Sequence, residues 1–272
     1  MFALLAAFCA ACSAAALQVQ TCWLMYGQQR STELALTAFS ATSTLFAYLF
    51  LCSYRIWRRI AWASAAVAAA LYCCLSPYQQ GVALFASALW GLYYGWPPPR
   101  LWRGSARTPA RAYAGGRSWP LGKPLLVAGA WAWVTVMLPM DPADWWAARW
   151  MLLERASFVF ALALAYDLHD VEHDARVGLH TLALRLRERR TFHLIYAALG
   201  VTAAAAAVSV FQGKYAAPVG AALGISLGGS AFALRAMFRE TFPLCWRKAA
   251  IDALMLAQAA LVAEGLFIAA SG

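Results

Sequence analysis

The chain has 272 residues, 63% of them hydrophobic and 12% charged, with a mean hydropathy of +0.59 and a formal net charge of +10. A soluble domain is roughly half apolar and a quarter charged, so this balance excludes an ordinary soluble fold and a disordered chain and sets the protein in the membrane class. No soluble basic module carries the excess of arginine, which argues against nucleic acid as a partner.

Apolar stretches near the ~20 residues needed to cross a bilayer recur along the whole length. They predict an all-α polytopic membrane protein, a single domain over 1–272 with about nine transmembrane helices. The spans run over roughly 2–25, 34–54, 60–75, 80–97, 124–140, 149–167, 192–211, 217–237 and 249–270. The first, MFALLAAFCAACSAAALQ, lacks the charged start of a secretory signal, and its apolar run continues to Trp23 and Tyr26. It reads as a membrane helix. Cys9 and Cys12 within it, and Cys73 and Cys74 at the end of the third span, read as small packing residues in apolar surroundings.

The segment after the second span, FLCSYRIWRRI, carries Arg55, Arg58 and Arg59 and no acid; the first 140 residues contain only Glu33 as an acid. Between the fourth and fifth spans, Gly95 to Pro120 is rich in Pro, Gly and Arg and reads as a loop. The loop between these spans contains Arg100, Arg103 and, at its end, Lys123. It could cap a substrate cavity or serve as a plain basic connector. The loops after the even-numbered spans hold eighteen Lys/Arg, against Arg30, Arg149 and Lys214 on the other side. This asymmetry predicts a cytoplasmic basic face and N-terminus, with the arginines also meeting anionic membrane lipids. The expected location is a bacterial inner membrane.

Glu154 and Arg155 fall early in the sixth span, where charged groups face a bundle interior or a cavity. They could pair with each other or across helices. The same span ends in YDLHDVEHD, Tyr166 to Asp174. If the helix continues, Asp167, Asp170 and Asp174 stand at i, i+3 and i+7 and share an arc of roughly 60°. Carboxylates on one stripe repel each other, and a divalent cation resolves the repulsion. Oxygen-only ligands favour Mg²⁺, which typically takes one or two carboxylates, waters and substrate phosphates. The stripe reads as a Mg²⁺–diphosphate site at the membrane surface, against the simpler reading of a solvated helix end. His169 and His173 share another face and no third ligand has zinc spacing, so they read as interfacial polar packing. Asp252, four residues after Lys248, reads as its local helical partner; Glu264 has no evident one.

The stretch DLHDVEHDARVGLHTLALRLRERR resembles the second aspartate-rich motif of the UbiA superfamily of intramembrane prenyltransferases. Its DxxDxxxD is Asp167, Asp170 and Asp174, followed by Arg176, Gly178, Thr181, Leu182 and Arg185. The nine-helix layout and cytoplasmic acidic loop also agree with the family. The resemblance implies a UbiA-like bundle with a cavity open to lipid. An isoprenyl diphosphate would place its tail among apolar helices and its head on Mg²⁺, and would transfer its prenyl group to a lipophilic acceptor. The three aspartates would be metal-binding and catalytic. The family's first motif, however, is missing: Ser53, Ile56 and Ile60 stand where it has aspartates. In one account Arg55 and Arg58 replace the lost metal's charge and grip the diphosphate, with Arg100, Arg103, Lys123 and Arg176 assisting. In a second, the chain keeps the fold but not catalysis and binds a lipid, a diphosphate or a partner. A third reading is a cation transporter using the histidine pair and the aspartates.

Overall fold

Each predicted span coincides with a helix. The structure, a computed structural model, describes residues 2–27, 33–50, 55–94, 120–176, 181–239 and 241–271. The helices are α1 (Phe2–Tyr26), α2 (Glu33–Phe50), α3 (Arg55–Cys73), α4 (Pro77–Tyr94), α5 (Gly122–Ala132), α6 (Arg149–His169), α7 (Val171–Arg176), α8 (Leu182–Phe211), α9 (Ala217–Met237) and α10 (Leu244–Ser271). No strand occurs among the described residues. α5 runs directly into a π-helical segment, Trp133–Met137. By length and composition alone, α8, α9, α10 and most of α1 are apolar enough to cross a membrane, and α2 has a shorter apolar stretch. The architecture is an all-helical membrane bundle with a helix count close to the expected nine.

Several helices begin earlier than expected, and two of them do so through charged stretches. α3 starts at Arg55, so the basic run forms its first turns rather than a loop. Arginine is a good helix former and its long stem lets the charge stay in water at a membrane edge. α8 starts at Leu182, because LALRLRERR has strong helix propensity although its charges hide it from a hydropathy reading. The backbone breaks inside that stretch at Arg187, with φ 61° and ψ 168°. That region is all but reserved for glycine.

α6 is the hub: it packs against α8, α5 and α10. α1 joins α2 to α10, and α9 lies between α10 and α8. α1 and α10 are tied by the Ser13 hydroxyl, which donates to the Asp252 carbonyl at 3.2 Å. Gly265 lets α10 approach α9 closely. A Cβ there would lie 2.9 Å from the Pro218 carbonyl oxygen and 3.1 Å from the Val219 Cα.

Two apolar clusters fill the centre, one nearer the aspartate motif and one nearer the opposite end. Polar side chains separate them on several helices. On α1, Gln18 falls between Leu17 of the first cluster and Leu24 of the second. On α6, Glu154 and Arg155 fall between Phe158 and Met151, and on α10, Gln258 falls between Met255 and Val262. All four polar residues are buried. Water cannot solvate charge at that depth, so such groups must find partners inside the bundle. Tyr215 supplies one, its hydroxyl donating to Glu154 Oε2 at 3.0 Å.

Candidate functional site

The aspartate motif is divided by the helix end. α6 stops at His169, Asp170 takes φ −92° and ψ 3°, and α7 begins at Val171. The backbone bonds continue across the break: Asp170 N–H donates to the Tyr166 carbonyl at 3.0 Å and Asp174 N–H to the Asp170 carbonyl at 2.8 Å. The three carboxylates therefore stay at one end of the bundle. They do not share one cation. Asp167 and Asp174 are fully buried, and both face the ammonium of Lys123. Lys123 Nζ forms an ion pair with Asp167 Oδ1 and lies 3.8 Å from Asp174 Oδ2. Asp170 is partly exposed and takes a different lysine. Lys248 Nζ lies 2.9 Å from its Oδ1 and donates to its Oδ2 at 3.1 Å.

Two sequence expectations change here. Lys123 belongs to the first turn of α5, not to the preceding loop, and is itself buried. Lys248 turns toward Asp170 rather than toward Asp252. The pairing of helices α6 and α10 decides this, since Tyr166 on α6 donates to the Lys248 carbonyl at 3.1 Å and brings the lysine beside the motif. Asp252 is fully buried near Tyr166. Sequence reasoning missed the role of Lys248 and of Arg247, which is buried with its guanidinium 4.5 Å over the Phe238 ring. The only available signal was their place one turn into a helix at the basic face.

Of the other expected site residues, Arg58 is exposed on α3, and Arg55 lies at the start of α3 with its side chain outside the described residues. Arg100 and Arg103 also lie outside the described residues, as do Ser53 and Gly178. Arg176 is exposed and its Nε donates to the Glu172 carbonyl at 3.1 Å. His173 is exposed, while His169 Nε2 lies 3.9 Å from Asp170 Oδ1.

The residues present do not fit the magnesium site that the motif implies. Lysine ammonium groups face the oxygens that a metal would need, and Asp167 and Asp174 have no exposed surface for the waters Mg²⁺ usually retains. Among the described residues no group of three or more His, Cys, Asp and Glu gathers in a metal-holding arrangement. The positions corresponding to the first motif offer no carboxylate.

The fold and this charged end define an integral membrane protein built as a helical bundle with a paired acid–base site at one end of its hub helix. The family model described as the UbiA prenyltransferase family matches residues 31–256, and the chain belongs to that family. No curated protein matches. Among solved structures, an apo UbiA homolog from Aeropyrum pernix K1 aligns at a TM-score of 0.61 and 14% identity, covering 95% of this chain and 97% of the other. A structure reported for the biosynthesis of digeranylgeranylglyceryl phosphate synthase in membranes aligns at a TM-score of 0.58 and 8% identity, covering 98% of this chain and 96% of the other. At these identities the likeness establishes the fold.

Proposed function

We propose that the chain is an intramembrane prenyltransferase-type protein of a bacterial inner membrane. It holds an isoprenyl diphosphate at the aspartate end of α6, on the cytoplasmic face, with the N-terminus inside. The observation that carries this reading is the pairing of Lys123 and Lys248 with the three motif aspartates at one end of an apolar bundle. A diphosphate needs charge-assisted donors, and these side chains together with Arg58 supply them. The prenyl tail lies along the apolar helices. Transfer breaks the bond between the allylic carbon and the diphosphate oxygen, and the electron pair leaves with the diphosphate. A lipophilic acceptor attacks the carbon and loses a proton. Basic groups that stabilise the departing anion lower that barrier.

A second reading keeps diphosphate binding without turnover. It is favoured by the absence of acids at positions 53, 56 and 60 and by aspartates already paired to lysines. Purified protein incubated with a labelled isoprenyl diphosphate and a panel of lipophilic acceptors separates the two. The enzyme gives a prenylated product that Asp170→Ala abolishes, whereas the binding protein retains the ligand and gives none. Neither binding nor product would overturn both.

A further inference from the structure

We propose that Lys123 is a built-in cation that does at Asp167 and Asp174 what a divalent metal would otherwise do, so that this site takes an isoprenyl diphosphate without magnesium. The proposal rests on the diphosphate-binding reading above and deepens it.

Asp167 and Asp174 lie on either side of the α6–α7 break, and both carboxylates are fully buried. Two buried carboxylates at one site repel each other and repel any anion brought beside them. A positive charge is obligatory there. Lys123 reaches both from the first turn of α5, a separate helix, with a side chain only 10% exposed. Burial of this kind is expensive for a lysine unless it is paired, and here it is paired twice. The third aspartate, Asp170, is engaged through both oxygens by Lys248. The two lysines thus cover all three motif aspartates, and to bind them a metal would have to displace an ammonium from each place.

The substitution agrees with the rest of the sequence. A second carboxylate cluster would be needed to complete a metal–diphosphate assembly, and the first 140 residues hold only Glu33 as an acid. The same stretch contains nine arginines. Losing one acidic motif while supplying lysines to the other is a consistent change from metal charge to side-chain charge. An ammonium carries three donors, and two carboxylates leave one for a phosphate oxygen. Lys248, with 41% of its side chain exposed, offers the more accessible donor to the second phosphate.

The test uses the full chain in detergent or nanodiscs and farnesyl diphosphate as the probe, titrated in EDTA and in millimolar MgCl₂. Affinities that agree within about threefold support the proposal. A gain of about tenfold or more with magnesium overturns it. Lys123→Gln should weaken binding in EDTA by about tenfold or more and make the residual binding magnesium-dependent, because the two carboxylates then become available to a metal. Mn²⁺ spectroscopy on the wild-type protein needs neither the variant nor the probe. Manganese bound at a site that Asp167→Asn removes overturns the proposal, and no such site supports it. If farnesyl diphosphate does not bind in either buffer, the diphosphate reading fails by itself, while the manganese measurement still decides between ammonium and metal.

Discussion

At the level of single residues, burial turns ordinary charged side chains into obligate partners. Lys123 and the two carboxylates it serves illustrate this, because none of the three has water to fall back on. Lys123→Ala should lower stability by about 3–5 kcal/mol, the usual consequence of leaving buried charge uncompensated. Adding Asp167→Asn should recover part of the loss, read as the thermal midpoint in detergent. The Glu154–Arg155 pair makes a second case. Glu154 accepts from Tyr215, while the Arg155 guanidinium nitrogens have no hydrogen-bond partner among the described residues. Glu154→Gln alone should destabilise more than Glu154→Gln combined with Arg155→Met, since the single change strands a buried cation. A double-mutant cycle by thermal unfolding measures that coupling, and additive losses would show that the two side chains act independently.

At the level of the helix, two positions are governed by backbone and not by side-chain chemistry. Arg187 holds φ 61° and ψ 168° inside α8, a conformation that costs a residue with a Cβ about 1–3 kcal/mol. Arg187→Gly should leave the protein as stable or more so, and Arg187→Val should lower its thermal midpoint. Gly265 is the reverse case. Its missing Cβ is what lets α10 meet the α9 backbone, and small residues at such crossings permit close packing in a bilayer. Gly265→Leu should push the helices apart and cost about 1–3 kcal/mol by overpacking, again read from unfolding in detergent.

At the level of the whole molecule, the arginine asymmetry makes a prediction about orientation. Cys73 and Cys74 are exposed at the end of α3, and Cys245 is exposed at the start of α10 near the aspartate motif. With the basic face in the cytoplasm, a membrane-impermeant maleimide added to intact spheroplasts should label the Cys73–Cys74 pair and spare Cys245. Single-site cysteine backgrounds make the readout unambiguous, and labelling of Cys245 alone would reverse the topology.

Much of this molecule was legible along the chain. Hydropathy alone located a helix at every predicted span, though not the short α7 or the charged start of α8, because a bilayer forces each spanning segment to satisfy its own backbone bonds and so writes the fold locally. The aspartate spacing located the motif for a similar reason: i, i+3 and i+7 keep groups at one end whether or not the helix bends. The partners of those aspartates were not legible. Lys123 read as a loop residue and Lys248 as the neighbour of Asp252, since sequence spacing reports only contacts within one helix. Which lysine meets which carboxylate depends on how α5, α6 and α10 are rotated and brought side by side, and that follows from the packing of side chains far apart in the chain. Tertiary structure alone decided that ammonium groups, and not open space for a metal, lie against the motif.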